Sequence, residues 1–336
     1  MKKKATWTLI LLTLAAVIGL TMGCPSPSGG DNTNPSGSDD TYIITGSGTA
    51  FTATKDGVTV GIAGQPINNV INAIRADADG ETAVAIQFGN GGTLDIGVAT
   101  ANFDNGGGET WGLITLSGKI TSQQNVTPFA TVRIATGVSA TSLAEITNNA
   151  TDGQGIRKEG TGTVNITGGT VSATGTGTSR AVCNQSSGTV NISGTATVSA
   201  PTGTAVYNES SGLINISGGT VSSSTGRAVF EYGGGKITVS GGIVTSANTF
   251  TTQGTITLGN VGTGTAVRLE ITGGTVSHTS TGATANAVYN DSTGAVNITG
   301  GTVRTSASTG NYAVYNARTG SVTIGAGATI VGNQFL

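Results

Sequence analysis

Along most of the chain, apolar and polar residues alternate in short runs that return at a nearly fixed interval. Residues 162–172 read G-T-V-N-I-T-G-G-T-V-S, and close copies begin at Gly188, Gly212 and Gly294. Diverged copies start at Gly235 and Leu269. The aligned central residues Asn165, Asn191, Asn215, Thr238, Glu270, Asn297 and Thr323 stand 26, 24, 23, 32, 27 and 26 residues apart. Within one copy, Val164 and Ile166 alternate with Asn165 and Thr167, the period-2 pattern of a strand with one buried face. A Gly168-Gly169 pair permits a sharp bend. A second strand follows, with Val171 pointing inward. After a Ser/Thr/Gly turn comes a third apolar segment, as in Ala181-Val182-Cys183-Asn184 and Ala205-Val206-Tyr207-Asn208. Three short strands and three turns make one coil, and a lone coil cannot bury its apolar face, so copies must stack.

Stacking sets Val on Val, Ile on Ile and Tyr on Tyr at about 4.8 Å per coil. The handedness of parallel crossovers makes the coil right-handed. The asparagines closing the third strand, Asn184, Asn208, Asn290 and Asn316, are expected at a turn, forming a ladder interrupted by Glu231. With these residues in view, the chain resembles the right-handed parallel β-helix of the pectate-lyase-like superfamily over residues 93–336. That superfamily also supplies passenger regions of bacterial surface proteins. The resemblance implies a fold and no single activity, because some members cleave polysaccharides while others bind or project.

The N-terminal third departs from the repeat. Residues 1–23 carry Lys2, Lys3 and Lys4 ahead of an apolar run of signal-peptide length. The junction Gly23-Cys24 looks like a bacterial lipobox, which implies a lipid on Cys24. Residues 24–40 are a polar tether, and about sixteen such residues span roughly 20–25 Å as a flexible coil. In residues 41–92, Ile67, Val70, Ile71 and Ile74 form one helical stripe after Pro66. That helix and short flanking strands read as a cap over the end of the β-helix, whose open edge would otherwise invite association. The expected fold is therefore all-β: a right-handed parallel β-helix of coils over residues 93–336, with a short N-terminal α/β cap.

Composition narrows the function classes. Only 10% of residues are charged, against about 25% in an average domain. Such a composition also suits disorder, but disorder needs neither strict alternation nor a kept register. A net charge of −2 gives nucleic acid no basic face to bind. From residue 161 onward the acids are Glu209, Glu231, Glu270 and Asp291, widely separated, and the arginines occur at most once per coil. No acid–base pair and no metal or cofactor set is visible in that pattern. Cys183, in the tyrosine slot, reads as a small core filler, and His278 as a solvated turn residue. The T-x-S pairs at Thr170/Ser172, Thr197/Ser199, Thr220/Ser222 and Thr275/Ser277 would stack into a flat hydroxyl face, a layout that ice-binding proteins use.

The repeat register breaks at residues 103–111 and 248–264. The first break sets Phe103, Asp104, Glu109 and Trp111 close in sequence, aromatic surface beside carboxylates, and is the expected ligand contact. The expected function is a non-enzymatic cell-envelope lipoprotein, exported and lipid-anchored to a bacterial membrane, the outer one by analogy with Pro25 following the cysteine. It would act as a structural, adhesive or glycan-contacting surface module, with glycan or a host or cell-surface protein as partner. The alternative is a polysaccharide-active lyase- or hydrolase-like enzyme or its inactive relative. Ice binding is the remote alternative.

Overall fold

The computed structural model describes residues 41–105, 109–135, 137–250, 252–260, 266–281, 286–306 and 310–336. The expected signal peptide, the tether and Cys24 fall outside these residues. The described chain winds into a parallel β-solenoid of about nine turns with one short helix near its start. Each turn contributes one strand to each of three faces, and the coils pair in parallel, residue on equivalent residue.

The register follows from the repeat. Val164 pairs with Val190, Val190 with Ile214, and Ile214 with Ile237 on the first face. On the second, Val171, Val198, Val221 and Val244 stand in one column. On the third, Val182, Val206, Val229 and Ile256 do the same. All twelve are fully buried. A slip of one residue would turn every such column to solvent, so the alternation itself specifies the pairing.

The first and second faces meet at the paired glycines, and long strands such as Leu213–Ser223 run through the corner. Gly219 sits there at φ +70°, and a Cβ on it would run into the carbonyl oxygen of Ala196 on the preceding coil. Only glycine meets both demands. The less regular stretch before residue 160 keeps the same pairing: Ala130–Ile134 and Gln154–Lys158 lie in register below Arg180–Asn184.

The cap is built from three antiparallel strands, Thr41–Ser47, Ala50–Lys55 and Val58–Gln65. The helix Ile67–Asp77 follows them. Its stripe Ile67, Val70, Ile71 and Ile74 is buried, as the spacing predicts. Pro66 stands just before the first turn, and Ala78 closes the last one by donating to the Ile74 carbonyl. The strand Ala50–Lys55 was not evident in the sequence. Parallel pairing begins with Ala83–Asp95, where Val84 meets Ile114 and Leu94 meets Ile120. The first strand, Thr41–Ser47, joins that coil in parallel and links cap to solenoid.

The core carries a polar column at the end of the third face. Asn184, Asn208, Asn290 and Asn316 stand at the strand ends entering the turn, as expected, with their side chains pointing into the coil and buried. Each donates to a carbonyl four residues on: Gly188, Gly212, Gly294 and Gly320 respectively, at 2.6–3.2 Å. Asn184 also donates to Asn208, and Asn290 to Asn316, both at 2.9 Å. The turn carbonyls would otherwise be buried without a donor, which is why an amide fits this slot. Lys158 occupies the same slot one coil earlier and donates to the carbonyls of Glu159 and Gly160. Glu231 interrupts the ladder as expected, accepting from the Gly235 amide and forming a fully buried ion pair with Arg268.

A second buried column corrects the reading of His278. Its register partners are Ser246 and Thr305, and the ring is 1% exposed, inside the corner between the second and third faces. The phase of the strand Thr275–His278 puts Val276 and His278 on the same inward side, so His278 belongs to the strand and not to the turn after it. Burial holds the imidazole below its ordinary pKa, outweighing a backbone contact with Asn248. Below about pH 6.5 the unfolded chain takes up a proton that the folded one resists, so stability falls as pH drops through that value. Denaturant melts between pH 7.5 and about pH 5 should show this loss, and His278→Thr should remove it.

Candidate functional site

The sequence placed a ligand contact at Phe103, Asp104, Glu109 and Trp111. The structure brings these residues together but turns their aromatic surface inward. Phe103 is fully buried, and Trp111 is 9% exposed and packs edge-on against it at 5.8 Å. The Trp111 indole donates to the Asp104 carbonyl at 3.0 Å. The Asp104 carboxylate takes Arg75 at 3.1 Å and Arg133 at 3.5 Å, and Glu109 lies 3.9 Å from Arg75. Arg133 and Arg157 in turn clasp Glu159. Burial would raise the Glu159 carboxyl, but the two guanidinium groups more than offset it and hold it below the usual range. A cluster with its rings in the core and its charges mutually satisfied is a plug beneath the cap.

Further aromatic rings lie on the outer side of the third face, where Tyr207 and Tyr289 are each 8% exposed and Tyr232 is 51% exposed. The positions that alternate with the inward valines are Arg133, Arg157, Cys183, Tyr207, Phe230, Thr257, Tyr289 and Tyr315. The row runs from charged near the cap to aromatic further on. Tyr207 and Phe230 lie 5.4 Å apart, and Tyr232 stands beside both, at 6.3 Å from Tyr207 and 5.8 Å from Phe230. Tyr289 and Tyr315 stack face to face at 5.5 Å.

Two arginines lie on these rings. The Arg180 guanidinium sits 4.0 Å from the Tyr207 centroid, and that of Arg227 sits 4.2 Å from Phe230. Both distances lie within cation–π range, where the ring face attracts the cation. The rings and arginines floor a groove in which two cavities of about 360 Å³ each share Arg227 and Phe230. The groove reaches from Arg180 to Tyr289 along five successive strands, about 20 Å at the strand spacing. Phe250, 57% exposed, overhangs one side. It comes from the second break in the repeat, so a register break does furnish groove wall, though not at the site first expected.

Cys183 lies under this surface. It is fully buried, yet on the outer side of the sheet beneath Arg180 and Glu209, not in the core. Burial pushes its thiol up to about 12, which leaves it protonated and unreactive at neutral pH. Glu209 is held by Gln185 at 2.6 Å and Asp291 by Arg318 at 2.7 Å. Among the described residues, no group of three His, Cys, Asp or Glu side chains is arranged to hold a metal ion.

The arginines have a signal of their own in the sequence. Arg-Ala-Val-Cys at 180–183 and Arg-Ala-Val-Phe at 227–230 place the cation three residues before the outer position, two coils apart; Arg227 meets the ring of its own strand, whereas Arg180 meets that of the next coil. Compared with known proteins, the chain matches no family model, no curated protein and no solved structure. The fold thus defines the class, a parallel β-solenoid, and the site must be read from its own geometry.

The plug assignment has a direct test. Trp111→Ala should cost about 3–5 kcal/mol, the usual loss for a large buried aromatic side chain, read as a fall in melting temperature. An unchanged melting temperature would return Trp111 to the surface.

Proposed function

We propose that this chain is a non-catalytic cell-envelope module that contacts glycan through the outer surface of its third face. The observation that carries the reading is the groove floored by Tyr207, Phe230, Tyr232 and the two stacked arginines. Sugar rings present flat apolar faces edged with hydroxyls, and a rigid aromatic floor beside polar edges suits both. A sheet that cannot flex also contributes its contacts without an ordering cost. The acids nearest the floor, Glu209 and Asp291, lie on strands three coils apart and are each bound to a neighbour. That favours holding a ligand over general acid–base cleavage, which needs two carboxyl groups facing one bond.

Anchoring belongs to the same proposal. The lipobox-like Gly23-Cys24 junction and the polar residues that follow suit a domain held just off a membrane surface. Cys24→Ala should leave an unprocessed precursor that no longer fractionates like the parent chain, and processing as before would remove the anchor from the reading.

For the groove, titration with oligosaccharides long enough to span it should give saturable binding without release of reducing or unsaturated ends. Tyr232, 51% exposed, can be removed without opening the core. Tyr232→Ala should weaken binding about tenfold, one interfacial hot-spot contact, at an unchanged melting temperature. Steady product release would instead make the protein an enzyme.

A further inference from the structure

We infer that the corner between the second and third faces holds a binding site for a small carboxylate, centred on His278. The site lies apart from the outer groove and does not depend on the glycan reading.

His278 is the one histidine in the chain. Its ring is 1% exposed, yet beyond the backbone contact with Asn248 neither ring nitrogen meets a hydrogen-bond partner among the described residues. A buried imidazole in that state forfeits bonds that water supplies in the unfolded chain. Its neighbours in the column show the contrast. Ser246, one coil before, bonds Thr255 at 2.8 Å, and Thr305, one coil after, donates to the Ser306 carbonyl at 3.0 Å.

The ring lines a cavity of about 260 Å³ together with Thr279, Arg304, Thr305 and Ser306. A dry cavity of about 150 Å³ already admits benzene, so this one has room for a ring that bears a carboxylate. Thr279, Thr305 and Ser306 each spend their hydroxyl proton on a backbone carbonyl. The imidazole N–H and Arg304 are thus the side-chain donors left to a ligand.

Charge sets the sign of that ligand. Among the described residues no ion pair involves Arg304. The strands paired or packed against Thr275–His278 are Lys236–Ser246, Gly254–Leu258, Asn286–Asn290 and Thr302–Thr305. Lys236 stands at the far end of its strand and is held by Glu270, Tyr289 lies on the outer side of the third face, and Arg304 reaches the cavity. Residues 279–288 and 305–311 add no charged residue to the sequence. Donors and positive charge with no carboxylate beside them suit an anion and disfavour a cation. Burial keeps the imidazole neutral in the free protein. A bound carboxylate favours its charged form, so the ring takes up a proton on binding and affinity rises as pH falls through about 6.5.

Three ligands of one shape and different charge test the site in the full chain: benzoate, neutral benzamide and benzylammonium. With a single histidine, the imidazole C2 proton gives one nuclear magnetic resonance signal that reads this ring alone. Benzoate should shift that signal saturably and raise its titration midpoint. Benzamide should bind at least tenfold more weakly, and benzylammonium should leave the signal in place. Benzoate should bind about tenfold tighter at pH 5.5 than at pH 7.5, the equivalent of a rise of about one unit in the histidine pKa. Arg304→Gln, at an exposed position, should weaken benzoate about tenfold at an unchanged melting temperature. His278→Thr, which puts the residue of the next coil in the slot, should abolish the pH dependence, and should it fail to fold, the signal and Arg304→Gln decide the matter alone. Tyr232→Ala, in the outer groove, should change nothing. Equal affinity for benzoate and benzamide overturns the charge assignment. A histidine signal that benzoate does not move, or benzoate binding lost with Tyr232→Ala, overturns the site and leaves His278 as a core residue.

Discussion

Everything in this molecule depends on coils lying on coils in strict register, each residue above its equivalent. Backbone hydrogen bonds running along the axis fix the spacing, and the apolar columns of the three faces fix the phase. Once both hold, the chemistry at each position is repeated or varied coil by coil. The apolar inner columns are mostly valine and isoleucine, with leucine and alanine at a few places. The outer columns are free to vary, and there the arginines, tyrosines and threonines are found.

The polar column inside the solenoid shows how the same register handles backbone that cannot reach water. Turn carbonyls at the end of the third strand face the interior, and amide side chains meet them while bonding one another along the axis. Lys158 does the same work with an ammonium group, and burial brings it down to about 8. Glu231 offers acceptors where the others offer donors, and Arg268, reaching across from the next coil, supplies the compensating charge. A buried ion pair of this kind is weak support for net stability. Its stricter consequence is positional, since either partner left alone would be an uncompensated charge in the core.

Much of the fold was legible because the repeat is a physical statement about burial. Val206 and Ile216 point inward for the reason their neighbours do, and the double glycines announce the corner. The cap helix was legible from its apolar stripe, whereas the strand Ala50–Lys55, whose sequence is A-F-T-A-T-K, offered too few large apolar residues to declare itself. The interior polar column was only half legible. Asparagine in a short strand reads as a turn residue unless its phase relative to the preceding valine is followed, and the same parity hid His278. At the site, proximity in sequence drew attention to Phe103 and Trp111, but burial is a property of the coil and withdrew both. Tyr207 and Phe230 read from the repeat as stacked equivalents, Tyr232 lies outside the repeated slot, and arginines that occur once per coil form no acid–base pair. On a solenoid, once per coil or once per two coils is the spacing at which a linear ligand would read a surface.

Because each coil is bonded only to the coils on either side, the molecule resembles a ruler whose divisions can be added or removed whole. Excising one coil of 23 or 24 residues between Arg180 and Arg227 would rejoin like strand to like strand and leave every column intact. Excising residues 204–226 would remove Tyr207 along with them, so the outer surface would lose one ring and shorten by one division while the inner columns closed up unchanged. Gene duplication and deletion act on such units, so a scaffold of this kind can lengthen or shorten its outer surface in single steps while leaving the interior undisturbed.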